Sequence, residues 1–278
     1  ASDRIRIPLI GRSDLVNEIL TSLKSGHRWF TILGPGGCGK TRLMEEVVDS
    51  LQHQTTLQQD LVFCDASTCY TNLDVLSCLE RALAMPPQRS QHQDQRIQAL
   101  AETLRARGPV LMLVDNMEQA PMDVDAVMTA LFRLAPQTQW VLTSRRRLGA
   151  NAERIIHVGP LAVDDSVQIF RHRAAYLGHP LPDSPDLAQM VAPLEGNPLA
   201  VLLAASQLQR TTITALAEHL THSALTWADE DNALHRVIEG SLALLSDTER
   251  NVLGQCAWFD GGFTVEVSTD VVKVPEEE

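Results

Sequence analysis

The sequence lacks the features that mark membrane and secreted proteins. It has no apolar run of about 18 residues, the length that a helix needs to cross a bilayer, and no signal-peptide pattern at its N-terminus. Its five cysteines are odd in number and form no CxxC pair, which argues against a disulfide framework and against a zinc site. We therefore expect reduced thiols, no membrane partner and a cytoplasmic location.

Basic residues are scarce as well. The 23 Lys and Arg residues are outnumbered by 35 Asp and Glu residues, which gives a net charge of −12. Broad binding to a nucleic-acid backbone normally needs a clustered basic surface, so we expect any DNA contact to lie outside this stretch. The chain has 278 residues and 44% apolar content, which is enough for a sizeable core and for more than one domain.

The clearest functional signal in the sequence is the motif GPGGCGKT, residues 34–41. It joins an apolar, strand-like run at 29–33 to a segment with helical periodicity, which is the context that a phosphate-binding loop requires. Its glycines let successive N–H groups point at a polyphosphate beside the positive end of the following helix. Lys40 would reach the β- and γ-phosphates, and Thr41 would offer its hydroxyl to Mg²⁺.

A second motif ends at Asp115. The continuous apolar run VLMLV, residues 110–114, is typical of a strand that is buried on both faces. Asp115 closes this run at the edge where open α/β sheets bind ligands. We predict that Asp115 holds Mg²⁺, directly or through water and Thr41. The alternative is a plain loop aspartate.

Asn116 and Glu118, which follow this acid, are harder to interpret. Many hydrolysing P-loop proteins carry a second acid directly after the first to orient the attacking water, and this chain has Asn116 at that position. Glu118 is either a substitute for that acid or a solvated charge at the start of a helix. The asparagine puts rapid hydrolysis in doubt.

Arg145 directly follows a predicted fourth strand, 140–143. An arginine at such a sheet edge can contact a γ-phosphate and report its presence. The alternative is that Arg145, Arg146 and Arg147 form a solvated basic loop, and we assign the sensing role to Arg145 alone because it follows the strand.

Cys38 lies within the glycine-rich loop at a helix N-terminus, where the pKa of a thiol tends to fall. A reactive thiol that bound nucleotide protects is one hypothesis. An inert thiol at a variable loop position is the alternative.

Strand and helix patterns alternate through the first part of the chain. Apolar runs at 29–33, 61–64, 110–114, 140–143 and 154–158 predict five strands in a mostly parallel sheet, with helices on both faces. Beyond Pro160 the strand signals stop and helical patterns continue. We therefore predict an α/β domain over 1–160 and an all-helical domain after it.

In their order and spacing these signals resemble the STAND class of P-loop ATPases, which includes the NB-ARC switch proteins. The likeness is greatest to the ATPase modules of large bacterial transcriptional regulators of the SARP and LuxR types. It rests on IPLIGR (7–12), GPGGCGKT, VLMLVDNME (110–118), VLTSR (141–145), EGNPLA (195–200) and a stretch at 244–266 similar to the start of a winged helix. The resemblance implies a helical lid domain at 161–230 and a truncated winged-helix domain at 231–278.

The resemblance also implies roles for individual residues, with ATP or ADP and Mg²⁺ as cofactors. Ile10, Gly11 and Arg12 would line the adenine pocket, and Pro198 would press on the adenine. The glycine-rich loop would hold the phosphates. Asp115 would be the Walker B acid, and Arg145 would be the first sensor. The expected cofactor contacts are Ile10, Gly11, Arg12, Gly36, Gly37, Cys38, Gly39, Lys40, Thr41, Arg42 and Pro198. The expected catalytic residues are Lys40, Asp115 and Arg145, and the expected metal ligands are Thr41 and Asp115.

In proteins of this class the nucleotide is a clamp between domains, and exchange of ADP for ATP permits opening and oligomerisation. We therefore expect a slow ATPase that acts as a regulatory switch, with an effector or DNA-binding domain outside this stretch. The abrupt end after Glu266 leads us to expect a fragment that lacks the ADP-sensing histidine of the winged helix. One alternative is an energy-using AAA+ remodeler or loader, which usually shows paired acids and a second sensing arginine. Another is a nucleotide-binding scaffold without hydrolysis.

Overall fold

A computed structural model describes residues 8–53, 59–86, 92–149, 152–226, 233–243, 245–259 and 264–272. The chain forms two compact units, Ala1–Asp165 and Ser166–Glu278. The division into three domains stays a prediction. Ile7 of the first motif, and Leu244 and 260–263 of the winged-helix motif, lie outside the described residues.

The first unit is built on a sheet of five parallel strands in the order β2-β3-β4-β1-β5. The strands are β1 (Trp29–Leu33), β2 (Asp60–Asp65), β3 (Val110–Asp115), β4 (Thr138–Ser144) and β5 (Arg154–His157). Their carboxyl ends meet at one edge, because parallel strands share a direction. The predicted five-stranded α/β fold is confirmed.

Helices cover both faces of this sheet. They are α1 (Ser13–Lys24), α2 (Lys40–His53), α3 (Asn72–Ala82), α4 (Gln93–Arg107) and α5 (Val124–Leu134). Successive strand residues face opposite sides, so Trp29 joins one core with residues of α3, α4 and α5, and Phe30 joins another with residues of α1 and α2. This double burial explains why the central strands are apolar runs rather than alternating patterns.

Local signals set the helix ends. Thr71 and Asp74 form a capping box at the start of α3. This helix ends at Ala82, and Ala84 just beyond it takes the left-handed conformation with φ 51°. Gly108, with φ 84°, ends α4 in a conformation that favours glycine.

The structure corrects the expectation that all thiols are reduced. Cys64 on β2 and Cys78 on α3 form a disulfide with their Cα atoms 6.3 Å apart. The two residues are 14 positions apart, with no short spacing to mark them as a pair. They meet because α3 packs on the same face of the sheet as the inward side of β2.

In its described residues the second unit is helical. Helix α6 (Val163–Tyr176) runs into it from the first unit. The other helices are α7 (Pro185–Val191), α8 (Pro198–Ser206), α9 (Ile213–Thr226), α10 (Ala233–Ala243), α11 (Asp247–Cys256) and α12 (Val265–Val271). A capping box between Ser246 and Glu249 begins α11. No single helix in the described ranges is long and apolar enough to cross a membrane, and one bent pair, Pro185–Leu194 with Pro198–Gln209, passes by length and composition only.

Candidate functional site

The glycine-rich loop connects β1 to α2 at the carboxyl edge of the sheet. Gly37 and Gly39 have φ values of 75° and 95°, which side chains rarely adopt. A Cβ on Gly34 would lie 2.7 Å from Cys38 Sγ and 2.8 Å from the carbonyl oxygen of Val158. The loop therefore requires glycine for its backbone conformation and for its close approach to Val158, the residue after β5.

Lys40, the first residue of α2, is 8% exposed. Its Nζ donates hydrogen bonds of 3.0 Å to the carbonyl oxygens of Gly34 and Pro35. The amine thus lies directly against the loop that the sequence assigns to phosphates.

Thr41 and Asp115 lie together, as the sequence predicts for a shared metal. Thr41 Oγ1 donates a 2.8 Å hydrogen bond to Asp115 Oδ2, and Thr143 Oγ1 donates a short one to Asp115 Oδ1. Asp115 is 4% exposed. Three oxygen-bearing side chains from α2, β3 and β4 therefore meet at one point, and hydroxyl and carboxylate oxygens are the ligand types that Mg²⁺ prefers.

Arg145 reaches back to the glycine-rich loop. A Cβ on Gly36 would lie 3.3 Å from Arg145 Cζ, so a glycine at this position leaves room for the guanidinium. Arg145 Nε also pairs with Glu118 Oε1 at 3.0 Å. The Glu118 side chain is only 11% exposed, so it is not a solvated charge at a helix entry.

The neighbouring arginines differ from one another. Arg146 donates hydrogen bonds of 2.6 and 2.9 Å to the carbonyl oxygens of Ala120 and Pro121, so it joins two loops. Arg147 is exposed. Arg145 and Arg147 are thus exposed and Arg146 is hydrogen-bonded, and the sensing role of Arg145 stays a prediction.

Asn116 takes the left-handed conformation with φ 64°, which asparagine tolerates better than most residues. Its backbone N–H donates to Thr143 Oγ1, and its side-chain Nδ2 donates to Asp65 Oδ1, both at 2.9 Å. Asp65 ends β2, the strand beside β3. The asparagine thus ties the ends of three neighbouring strands together.

The segment before α1 lies beside the residues that come after β5 and beside the start of α6. Arg12 is 9% exposed and donates a 2.5 Å hydrogen bond to the carbonyl oxygen of Gly159, and its burial lowers the pKa of the guanidinium. Gly11 has φ 69°, and a Cβ there would lie 2.3 Å from Asp165 Oδ2. Ile10 is partly buried.

Cys38 does not have the lowered pKa that its position suggested. It is 3% exposed, and this burial raises the pKa of its thiol more than nearby Lys40 and Arg12 lower it. The hypothesis of a reactive thiol is therefore wrong in its premise.

Two further expected cofactor contacts, Arg42 and Pro198, lie in helices. Arg42 pairs along α2 with Glu46 at 2.8 Å and with Glu45 at 3.8 Å. Pro198 is the first residue of α8 in the second unit, after the N-cap Asn197. Their nucleotide contacts stay predictions.

Three of these polar residues carry no functional signal in the sequence. Thr143 lies within an apolar strand pattern, and Asp65 and Asp165 belong to no recognisable motif. Asp65 and Thr143 could have been found by aligning the predicted parallel strands at their carboxyl ends.

Comparison with known proteins is consistent with this geometry. The family model of the NB-ARC domain matches residues 12–176. An uncharacterised protein of Mycobacterium tuberculosis is 27% identical over 270 residues, 92% of this chain and 67% of that protein. A protein of the same organism, named as a candidate HTH-type transcriptional regulator, is 25% identical over 256 residues, 88% of this chain and 28% of that protein.

Two solved structures share the fold. Cdc6p from Pyrobaculum aerophilum has a TM-score of 0.57 at 20% identity, covering 78% of this chain and 65% of that chain. A STAND protein with a tetratricopeptide repeat sensor from Pyrococcus horikoshii has a TM-score of 0.55 at 13% identity, covering 96% of this chain and 36% of that chain. The chain thus spans about two thirds of the first relative and smaller parts of the regulator and of the STAND protein.

Proposed function

This chain belongs to the NB-ARC domain family, as its motifs predict, and on that premise we propose that it is a regulatory switch that binds ATP or ADP and hydrolyses ATP slowly. Exchange of the nucleotide would change the conformation of the protein and permit its oligomerisation. The output would be carried by a segment outside this chain.

The observation that carries the proposal is the 2.8 Å hydrogen bond between Thr41 Oγ1 and Asp115 Oδ2. It joins the phosphate loop to the end of β3 and gathers the oxygen ligands that a Mg²⁺–nucleotide complex needs. Two features of the loop support phosphate binding. Gly37 and Gly39 have positive φ values, which let the backbone turn its N–H groups towards an anion. Gly36 has no side chain, so the guanidinium of Arg145 can lie beside the loop.

Each residue would then have a definite role. Lys40 would bind the β- and γ-phosphates, Thr41 and Asp115 would hold Mg²⁺, and Arg145 would contact the γ-phosphate. When bound, Mg²⁺ would neutralise charge on the phosphates. Ile10, Gly11 and Arg12 would form one wall of the adenine pocket, and Pro198 would also contact the adenine.

Transcriptional regulation is the output that a relative's name favours. One mycobacterial relative is named as a candidate HTH-type transcriptional regulator, and this chain matches 28% of its length. The net charge of −12 supports a DNA-binding segment elsewhere in the protein.

The test is to denature freshly purified protein and identify the released nucleotide by chromatography. We expect near-stoichiometric ADP from the parent and none from Lys40→Ala, because the amine binds the phosphates. Lys24→Ala, which removes an exposed lysine at the end of α1, is the matched control and should retain ADP. A parent that neither carries nor binds adenine nucleotide would refute the proposal, and fast steady turnover would favour a cycling AAA+ enzyme instead.

A further inference from the structure

We propose that Asp65 is the carboxylate that orients the attacking water during ATP hydrolysis, and that Asn116 holds it in place. This inference rests on the proposed nucleotide site. It assigns to β2 the acid that many P-loop hydrolases carry directly after the metal-binding aspartate, a position that Asn116 occupies here.

The first support is the register of the sheet. Asp65 and Asp115 are paired residues at the ends of the neighbouring parallel strands β2 and β3. Adjacent strands lie about 4.8 Å apart. The backbone N–H of Ala66 donates to the carbonyl oxygen of Asp115 at 2.9 Å, so the pairing continues past the strand end. The two carboxylates therefore emerge side by side at the edge that carries the phosphate loop.

The second support is that both carboxylate oxygens of Asp115 already accept hydrogen bonds. Its Oδ1 accepts a hydrogen bond from Thr143 and its Oδ2 accepts one from Thr41. Asn116 has an amide in place of a carboxylate. Its Nδ2 donates a 2.9 Å hydrogen bond to Asp65 Oδ1. The left-handed turn at Asn116 thus directs the polar group of this position to Asp65.

The hydrogen bonds of Asp65 suit the role. Its Oδ1 accepts from Asn116 Nδ2 at 2.9 Å and from the backbone N–H of Ser67 at 3.0 Å, so the carboxylate is held in place. It is also exposed to solvent, from which water enters. An exposed carboxylate held at a fixed position can accept a hydrogen bond from water.

Glu118 is the other carboxylate that the sequence put forward for this task. Its Oε1 pairs with Arg145 Nε at 3.0 Å. A carboxylate neutralised by a guanidinium is a weak acceptor for a water proton, and its geometry is set by its partner. Glu118 is thus suited to position Arg145 through Oε1, while its buried Oε2 has no hydrogen-bond partner in the described part of the chain.

The reaction step balances without another reactant. The water oxygen forms a bond to the γ-phosphorus while the bond from that phosphorus to the bridging oxygen breaks. ADP leaves with the bridging oxygen, and a water proton passes to the released phosphate or to solvent. Asp65 accepts a hydrogen bond from the water and fixes its direction of approach.

The test compares Asp65→Asn with Asp60→Asn, which makes the same change at the exposed start of the same strand. Asparagine retains an oxygen to accept from Asn116 and Ser67, so the turn should survive. We expect Asp65→Asn to bind ADP with Mg²⁺ like the parent and to bind ADP with Mg²⁺ and aluminium fluoride about tenfold more weakly, because that complex mimics the transition state and its water. Single-turnover hydrolysis should fall by about a hundredfold. Asp60→Asn should match the parent in all three measurements.

A swapped variant, Asp65→Asn with Asn116→Asp, guards against a merely structural effect. It returns a carboxylate to the position after Asp115, and aspartate also tolerates the left-handed conformation there. We expect the swap to recover part of the lost hydrolysis and of the aluminium fluoride affinity. Equal loss of ADP binding in Asp65→Asn, or no recovery in the swap, would show a structural role and overturn the inference.

The outcomes separate this inference from the proposed function. A parent that binds no adenine nucleotide refutes the proposed function. A parent that binds ATP while Asp65→Asn hydrolyses it at the parent rate overturns the role of Asp65 and leaves the proposed switch intact. A parent that binds ATP and never hydrolyses it overturns the role of Asp65 together with the slow hydrolysis, and leaves only the nucleotide-binding part of the proposed function.

Discussion

Thr41 and Asp115 are 74 positions apart in the chain, and a 2.8 Å hydrogen bond from Thr41 Oγ1 to Asp115 Oδ2 joins them. The bond places a hydroxyl and a carboxylate where one metal ion could contact both. It also links the helix that follows the phosphate loop to the centre of the sheet.

This pair predicts that the affinity for ATP depends on Mg²⁺ through Asp115. Asp115→Asn keeps the size of the side chain and removes its charge, so we expect about tenfold weaker ATP binding in Mg²⁺. In excess EDTA the variant and the parent should bind alike. Titration calorimetry under both conditions makes the comparison, and an equal loss under both would show that Asp115 acts on the fold rather than on the metal.

The position of Arg145 predicts selective loss of ATP binding. Its guanidinium lies beside Gly36 of the phosphate loop, so we expect Arg145→Ala to weaken ATP binding about tenfold and to leave ADP binding unchanged. Arg147→Ala, in the same loop and exposed, is the control and should change neither. Competition against a fluorescent ADP analogue measures both affinities. If ATP and ADP lost affinity equally, Arg145 would not report the γ-phosphate.

The position of Gly11 predicts that Gly11→Ala lowers the free energy of unfolding for two separable reasons, a strained backbone and a steric clash. Gly11→Ala places a residue at φ 69° and its Cβ 2.3 Å from Asp165 Oδ2, whereas Gly26→Ala places one at φ 88° with nothing within 4 Å. The backbone term of about 1 kcal/mol should appear in both variants, and Gly11→Ala should lose more. Urea unfolding followed by circular dichroism measures the difference.

The cause can be checked with a second substitution. Adding Asp165→Ala to Gly11→Ala removes the carboxylate that the new Cβ would meet, so the double variant should recover part of the extra loss. Additive costs would mean that Asp165 is not the group displaced.

Burial of Cys38 predicts slow alkylation. Because its thiol pKa is raised above the ordinary 9.0, the thiol carries a proton at pH 8 and should react with iodoacetamide more slowly than the more exposed Cys256. Peptide mass spectrometry after timed labelling gives both rates. Faster labelling of Cys38 would contradict the burial.

The raised pKa of the Cys38 thiol also predicts how the free energy of unfolding changes with pH. Between 9.0 and the raised pKa the folded protein keeps a proton that the unfolded chain loses, so the contribution of Cys38 is complete below pH 9.0 and declines as the pH rises beyond it. Cys38→Ala should therefore lose less stability than the parent between pH 8 and pH 10 in reducing buffer. An identical decline in both proteins would remove Cys38 as the cause.

The sheet could be predicted because its signals are local. Each buried strand is an apolar run closed by a polar residue, and the strand predicted at 29–33 has the bounds of β1. The phosphate loop carries its own chemistry within eight residues. Physical rules for short windows were enough for these elements.

The pairings at the sheet edge could not be predicted in the same way. Asp65 follows a short apolar run like many loop aspartates, and its relation to Asn116 depends on β2 lying beside β3. The ion pair of Glu118 with Arg145 likewise joins a 3₁₀ turn to a distant loop. Such contacts follow from strand order and register, which no window of sequence contains.

Lys40 has a consequence for any measured affinity. Its amine has three N–H donors and already gives two of them to the carbonyl oxygens of Gly34 and Pro35, so one donor is left for a phosphate. A phosphate that takes more than this one donor displaces a carbonyl contact, and the observed free energy of binding then understates the strength of the phosphate–lysine contact itself. Replacement of the lysine would likewise remove a support of the loop together with a ligand of the phosphate, so its effect cannot be assigned to charge alone.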